Sequence, residues 1–144
     1  MIYLDSSALI KRFLTEKGSG LVSRMVEQEG PVATAKIAYA EIHSGLARKK
    51  REGSLTSGQH ALICRRVELD WKGYVRMELT DEALSLAREL IQRHPLRGFD
   101  AIHLASALIL QSSLGEQVTF AGADERQLKA AAKEQLLALN VEIS

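Results

Sequence analysis

The sequence contains a single cysteine, Cys64, among its 144 residues. One cysteine excludes an intramolecular disulfide and any zinc site built from several cysteines. The chain also has no run of about 18 apolar residues, the length that a membrane span needs, and its N-terminus lacks the layout of a signal peptide. These absences predict a cytoplasmic protein with no membrane partner.

An excess of charge of one sign is missing too. The 19 Lys and Arg residues oppose 18 Asp and Glu residues, so the formal net charge is +1. Any surface for nucleic acid must therefore come from local segregation of charge. The hydrophobic content of 46% is typical of a globular chain, and no linker or repeat interrupts it. We expect one domain over residues 1–144.

Two common catalytic motifs do not occur. No Gly-Lys-Ser/Thr follows the glycines at 18 and 20, so they do not form a phosphate-binding loop. No HExxH spacing occurs either, which argues against a zinc protease and leaves His43 with a structural interpretation.

Short apolar runs alternate with segments of helical period, which predicts an α/β fold with a mainly parallel central sheet flanked by helices. The expected strands are 2–4, 32–34, 74–77, 118–121 and 141–143, and the expected helices include 36–50, 81–93, 101–110 and 128–139.

The stretch RGFDAIHLASAL, residues 97–108, places one carboxylate at the start of an almost wholly apolar helix. Gly98 interrupts what precedes it, so Asp100 stands at an N-cap or first-turn position, near the positive end of the helix dipole. A helix that is apolar on every face is a buried one, which fixes the base of Asp100. Taken alone, this placement favours a simple helix cap that stabilises by about 1 kcal/mol.

Three further acids change that interpretation. Asp5 and Asp124 both stand where a predicted strand ends and a helix begins, and ligands of parallel sheets bind outside the carboxyl ends of the strands. Glu41 interrupts a largely apolar helix, where a buried carboxylate needs a cation or a proton. If the four acids converge, a bound cation or protons must relieve their repulsion.

Oxygen ligands without His or Cys suit Mg²⁺ or Mn²⁺ rather than zinc. A divalent ion held by carboxylates can neutralise a phosphate, orient a water and activate it for attack. The acids therefore predict phosphodiester hydrolysis, with Asp5, Asp100 and Asp124 as metal ligands. Glu41 is expected to bind the metal or to polarise the attacking water.

The sequence resembles a PIN-domain ribonuclease of the VapC toxin type over essentially its whole length. The similar stretches are IYLDSSAL at 2–9, AYAEI at 38–42, RGFDAIHLASAL at 97–108 and FAGADERQL at 120–128. The four acids of that family correspond to Asp5, Glu41, Asp100 and Asp124. Its hydroxyl residue after the first Asp corresponds to Ser6, which is expected to contact the metal ligands rather than the metal.

The resemblance implies a Rossmann-like α/β sandwich, RNA cleavage with Mg²⁺ or Mn²⁺, a homodimer, and neutralisation by a cognate antitoxin. Two positions depart from the family. Gly122 stands where members commonly carry Thr or Ser, which removes a hydroxyl near the last Asp. Ala35, preceded by Thr34, stands where members commonly have Ser at the start of the Glu41 helix. Neither departure removes a carboxylate.

Positive side chains near these acids are candidate phosphate contacts. The run of four at the end of the Glu41 helix is equally typical of a solvated helix C-terminus favoured by the helix dipole. His103 is favoured as a structural hydrogen-bonding side chain rather than a catalytic one. The phosphate-contact candidates are Lys11, Arg12, Arg48, Lys49, Lys50, Arg51 and Arg97.

Two other classes of function are open. A catalytically silent PIN domain would bind RNA or a protein, although the presence of all four acids argues against it. A phosphoacceptor receiver domain needs an acidic pair near its first strand, whereas Asp5 is followed by Ser6 and Ser7. The favoured hypothesis is a metal-dependent endoribonuclease acting as the toxin of a toxin–antitoxin pair.

Overall fold

The computed structural model describes residues 1–28 and 30–143, and within them five parallel strands form one sheet flanked by seven helices. This confirms the predicted α/β class. The strands are β1 (Ile2–Leu4), β2 (Ala33–Ala35), β3 (Val75–Met77), β4 (Thr119–Gly122) and β5 (Leu137–Asn140). The helices are α1 (Ser6–Leu9), α2 (Ser19–Gln28), α3 (Ile37–Arg51), α4 (Ser57–Trp71), α5 (Asp81–Arg93), α6 (Gly98–Leu114) and α7 (Glu125–Lys133).

The strand order is β3-β2-β1-β4-β5, with every neighbouring pair parallel. Because all strands run the same way, their carboxyl ends lie at one edge of the sheet. The segments after β1, β2 and β4 therefore leave from that edge, and they carry Asp5, Glu41 and Asp124. Acids that are far apart in the sequence therefore approach one another at this edge.

The central strand β1 contributes to both faces of the sheet, since successive side chains of a strand point in opposite directions. Tyr3 stacks on Phe120 with ring centroids 5.5 Å apart, in a core shared with α5, α6 and α7. Leu4 belongs to the other core, with Ile42 and Leu46 of α3. The residues of both cores are almost completely buried. Close packing on both faces therefore holds the strands that carry the acids in place.

Helix α6 is buried along most of its length, as its apolar sequence predicted. It runs for 17 residues and ends at Gly115, whose φ of 67° is the left-handed conformation that glycine adopts readily. In the part of the chain that the structure describes, neither this helix nor any other is long and apolar enough to cross a membrane.

The C-terminal expectation was wrong. Helix α7 ends at Lys133, well short of residue 139, and residues 137–140 form β5, so the strand predicted at 141–143 lies too late in the chain. Gln135 adopts a φ of 74°, which stops the helix, and the buried Leu136 then turns the chain into the sheet. The leucines at helical spacing therefore serve two different elements.

Candidate active site

Asp5 leaves the end of β1 and caps α1. Its Oδ1 accepts hydrogen bonds from the Ala8 backbone N–H at 2.9 Å and from Ser7 Oγ at 2.7 Å. The residue is only 4% exposed. Burial raises the pKa of Asp5, as does repulsion from Asp100, although His103 and the two hydrogen bonds act against this increase. Asp5 is therefore a buried carboxylate whose charge is only partly compensated.

The same serine joins the loops that carry the first and last acids. Ser7 Oγ accepts a hydrogen bond from the Ala123 backbone N–H at 3.2 Å while it donates to Asp5. The neighbouring Gly122 lies directly against Asp5, because a Cβ built at Gly122 would stand 3.3 Å from Asp5 Oδ1. A Thr or Ser at this position would require the carboxylate to shift by a few tenths of an ångström.

The second departure from the family has a structural explanation within the sheet. Thr34 is buried in β2, and its Oγ1 donates to the Leu4 carbonyl oxygen at 2.7 Å. The hydroxyl therefore links β2 to β1. Ala35, which follows it, is also buried as the last residue of the strand.

A series of hydrogen-bonded side chains connects Glu41 to the buried core. His103 Nε2 contacts Glu41 Oε1 at 2.8 Å, and Ser6 Oγ donates to the same oxygen at 2.5 Å. The other ring nitrogen, Nδ1, lies 2.7 Å from the hydroxyl of Tyr3, which is fully buried. An ionised carboxylate only accepts hydrogen bonds, so the proton between His103 and Glu41 belongs to Nε2.

These contacts keep Glu41 charged. Burial raises the pKa of Glu41, but the hydrogen bonds from His103 and Ser6 outweigh it and hold the pKa below its ordinary value. His103, only 2% exposed, thus makes the structural hydrogen bonds expected of it, and one of its partners is a candidate site residue. Glu41 and Asp5 therefore differ: the protein favours the charged form of one and disfavours that of the other.

Asp100 lies in the first turn of α6, where it is half-buried. The N-cap of this helix is Arg97, whose side chain makes no capping hydrogen bond, so the structure does not give Asp100 the capping position. Burial raises the pKa of Asp100, and repulsion from Asp124 raises it further. Like Asp5, it is held close to another negative charge.

Asp124 caps α7. Its Oδ1 accepts from the backbone N–H of Arg126 at 2.9 Å and from that of Gln127 at 3.4 Å. The residue is exposed. Asp5 and Asp124, rather than Asp100, are therefore the helix caps among these acids. In both residues the capping hydrogen bonds are accepted by Oδ1.

Three adjoining hollows run along this edge and share lining residues. Asp100 and Arg97 line both the first and the second hollow, and Glu41 and Phe99 line both the second and the third. We call the continuous depression the acid groove. Its main charged and aromatic lining residues are Asp124, Arg126, Asp100, Arg97, Phe99, Glu41 and Arg48.

The donor set suits a hard divalent ion, because it consists of carboxylate oxygens, and nearby acids raise the pKa of two of its members, Asp5 and Asp100. In the conformation described for residues 1–28 and 30–143, no three His, Cys, Asp or Glu side chains are gathered closely enough to hold one ion together. The acids therefore fit a metal in their chemistry, and their side chains would have to move to bind one ion together.

The predicted phosphate contacts divide into two groups. Arg48 and Arg97 line the acid groove. Lys11 is buried and bonds to Glu16 at 3.0 Å and Glu142 at 2.8 Å. The structure therefore does not place Lys11 at the groove.

Arg12 likewise pairs with carboxylates, those of Asp70 and Glu27, and lies outside the groove lining. Lys49 lines a different hollow, beside Phe13. Lys50 and Arg51 are exposed at the end of α3 and do not line the acid groove.

Sequence reasoning missed two groove residues. Phe99 directly precedes Asp100, and Arg126 follows Asp124 by two positions, so both lie inside the stretches already singled out. Their adjacency to the acids was the available signal. Trp71 and Tyr74, in contrast, pack against each other edge to face with ring centroids 5.9 Å apart, which supports a packing role for them.

Comparison with known proteins identifies the family. The PIN domain family matches residues 2–137. The chain belongs to it. Ribonuclease VapC49 of Mycobacterium tuberculosis (strain ATCC 25618 / H37Rv) is 37% identical over 108 residues, which cover 75% of each chain. The resemblance to VapC-type PIN domains, which the sequence motifs indicated, is thereby confirmed.

Solved structures agree on the fold. The crystal structure of FitAcB from Neisseria gonorrhoeae matches this PIN domain with a TM-score of 0.66 and 18% identity over 100% of both chains. A toxin–antitoxin complex from Klebsiella pneumoniae matches with a TM-score of 0.57 and 18% identity, covering 83% of this chain and 84% of that one. At these identities the likeness concerns the fold of the PIN domain.

Proposed function

We propose that this protein is a metal-dependent endoribonuclease that acts as the toxin of a toxin–antitoxin pair, built as one PIN domain over residues 1–144. The observation that carries the proposal is the meeting of acids from distant parts of the chain at one groove, beside Arg48, Arg97 and Arg126. Relatives named ribonuclease VapC add support.

In this proposal Asp5, Asp100 and Asp124 hold Mg²⁺ or Mn²⁺ through the oxygens that do not serve as helix caps. The ion, when bound, neutralises the phosphate and activates a water for attack. The chain's own contribution is to fix these carboxylates to two buried cores, so that little motion is needed before they act.

Glu41 has a separate role. Since His103 and Ser6 keep its pKa low, it stays ionised and can bind the metal or accept a hydrogen bond from the attacking water. Arg97 lies beside Asp100 and is placed to contact the phosphate of the strand that is cut. In this proposal Glu41 acts on the metal or the water, and Arg97 acts on the phosphate.

The experiment that tests this proposal is RNA cleavage by the purified protein. We expect cleavage with Mg²⁺ or Mn²⁺ and none with EDTA. Asp5→Asn keeps a capping oxygen and removes the charge, so it should fold and fail to cleave. Cleavage that survives both EDTA and Asp5→Asn would contradict the proposal.

A toxin also requires restraint. We infer a small antitoxin that binds this chain in the cytoplasm, and a protein of similar fold, from Klebsiella pneumoniae, was solved as a toxin–antitoxin complex. We further infer a homodimer, as the family resemblance implies. Expression of this chain alone should slow growth, and sequencing of RNA ends after a brief pulse should give cuts that Asp5→Asn abolishes. If growth is unaffected, the nuclease can stand while the toxin assignment fails.

A catalytically silent PIN domain that binds RNA or a protein is the second candidate. The observation in its favour is that, among the described residues, no three potential ligands are already gathered around one point. The two candidates separate in one titration. Mn²⁺ that stabilises the protein and starts cleavage supports the nuclease, whereas RNA binding without any metal-dependent cleavage supports the silent module.

A further inference from the structure

Phe99 is an exposed aromatic ring at the centre of the acid groove. Its exposed fraction is 60%, compared with 36% for Tyr39, another exposed aromatic residue. Phe13, Tyr74 and Phe120 are buried. An exposed aromatic side chain between two candidate site carboxylates needs an explanation that packing does not supply.

The position of the ring is fixed by the helix that carries it. Phe99 is the second residue of α6, and the following Ala101, Leu104 and Ala105 are completely buried. The backbone beneath the ring therefore cannot move without disturbing the core. An aromatic surface on such a rigid element can bind a planar ligand with little loss of conformational entropy.

The surroundings of Phe99 match one planar ligand better than others. The ring lines the hollow that contains Asp100 and Arg97, and also the hollow that contains Glu41 and Arg48. Arginines on both sides suit the phosphates of a polyanion, and a ring between them suits a base. A nucleic-acid strand supplies phosphates and bases in alternation along its length.

We propose that Phe99 is a stacking platform for one base of single-stranded RNA, next to the phosphate that the acids address. The inference rests on the proposed function and adds the strand context of the substrate. In an RNA duplex the bases are stacked on one another and their faces are inaccessible, whereas bases of single strands can be splayed onto aromatic side chains. The ring therefore selects unpaired RNA.

The test measures RNA binding in EDTA, so that cleavage does not interfere. Wild type, Phe99→Leu and Phe99→Trp are compared by fluorescence anisotropy on a labelled single strand and on a blunt-ended RNA duplex that contains the same strand. Leu69→Ala, at an exposed leucine on α4, is the matched control for loss of exposed apolar surface. We expect Phe99→Leu to weaken single-strand binding roughly 5- to 100-fold, since stacking on an aromatic side chain contributes that much. Phe99→Trp should restore binding, and duplex affinity should barely change.

A single abasic nucleotide, moved along the strand, locates the stacked base. At one position it should weaken wild-type binding about as much as Phe99→Leu does, and the two changes together should cost no more than either alone. This non-additivity separates stacking from a general loss of fold, because a damaged protein would lose affinity for every RNA.

Four outcomes would overturn the inference. Equal single-strand affinity for Phe99→Leu and wild type removes the platform while cleavage by wild type keeps the proposed function. Equal losses on single strand and duplex remove the selectivity. Unchanged RNA affinity with a dissociated dimer, or with lost binding of a protein partner, makes Phe99 a protein contact instead. Wild type that neither binds nor cleaves RNA defeats this inference together with the proposed function.

Discussion

Two clusters of charge in the protein are compensated differently. Lys11 and Arg12 each meet two carboxylates, so opposite charges are matched there. At the sheet edge that carries the candidate acids, Asp5, Asp100 and Asp124 lie near one another, and burial and repulsion between acids raise the pKa of Asp5 and of Asp100. We call the first the paired cluster and the second the unpaired cluster.

The difference separates structural charge from functional charge. Matched pairs satisfy buried charges, and breaking one destabilises the fold. Unmatched carboxylates cost stability, and proteins retain such groups where a ligand or a reaction needs them. The contrast also explains why Lys11 and Arg12, which the sequence offered as phosphate contacts, lie elsewhere: their charge is already neutralised by carboxylates of this chain.

The largest effect should follow from Asp100→Asn, which removes one charge from the unpaired cluster. We expect cleavage to fall at least about 100-fold, because metal catalysis contributes several kcal/mol. Metal-free protein at neutral pH should melt a few degrees higher, and Mn²⁺ should stabilise it less than wild type. The raised pKa gives the sign: the ionised form of Asp100 is disfavoured in the folded state, and Asn removes that cost.

The matched control is Asp81→Asn, since Asp81 is also an acid in the first turn of a helix but is exposed on α5. If Asp100 contributed only to the helix dipole, both variants would melt slightly lower and both would cleave. An Asp100→Asn protein that cleaves normally and gains as much from Mn²⁺ as wild type would remove Asp100 from the site.

The next effect concerns Glu41, the candidate acid that is hydrogen-bonded to a histidine. His103→Ala removes the hydrogen bond from Nε2 to Glu41, leaves only the one from Ser6, and leaves the Tyr3 hydroxyl without its ring nitrogen. We expect a roughly 10- to 100-fold loss of kcat, as for other residues that orient a ligand, together with a lower melting temperature. Tyr3→Phe, which removes only the inner hydrogen bond, should have a smaller effect on both measurements. Wild-type kcat in His103→Ala would show that Glu41 needs no such support.

Within the paired cluster the effect should be on stability alone. Lys11→Met removes the cation from between Glu16 and Glu142, and we expect the melting temperature to fall by roughly 5 °C. RNA affinity should be unchanged, because Lys11 does not line the acid groove. Lys17→Met, at an exposed lysine nearby, should change neither quantity. A selective loss of RNA affinity in Lys11→Met would restore this residue as a phosphate contact.

The smallest effect should come from a second matched group, where Glu134 accepts hydrogen bonds from Arg93 at 3.0 Å and His94 at 2.7 Å. Burial raises the pKa of Glu134, but these two partners outweigh it and lower the pKa. A lowered carboxyl pKa stabilises the fold above the ordinary Glu value of about 4.3, and the stabilisation is lost as pH falls through the folded value.

Glu134→Gln should therefore melt roughly 1–2 °C lower than wild type at pH 7, and the two proteins should converge in acid. Thermal melts from pH 7 down to pH 3 measure this convergence. Glu52→Gln, at an exposed acid after α3, is the control and should follow wild type throughout. A constant difference between Glu134→Gln and wild type across that range would show that the loss is one of packing.

Much of the fold was accessible from the sequence because its signals are local. Strand β1 is a short apolar run that ends at the helix-capping Asp5, and β4 ends shortly before the helix-capping Asp124. At the C-terminus the local signal was ambiguous, since leucines at 128, 136 and 139 fit one helix as well as they fit a helix and a strand. The left-handed Gln135 decides between them, and no residue type announces that conformation there.

The site was predictable where a residue type and a strand end coincide, as at Asp5 and Asp124. Partners across long sequence separations were not. Lys11 meets Glu142 across 131 positions, and Tyr3 meets His103 across 100. Pairings of this kind depend on how helices and strands pack, which the spacing along the chain does not encode.

The bond between Ser7 Oγ and the Ala123 N–H joins residues 116 positions apart, next to Asp5 and Asp124. Synthesis from the N-terminus delivers Asp5 long before Asp124. Strand β1 has both of its neighbours only when β4 has been made, and the two acids can come together only then. A growing chain on the ribosome therefore lacks part of the candidate site until β4 and Asp124 have been made. The order of the strands delays the proposed activity until that point, when the proposed antitoxin has a folded surface to bind.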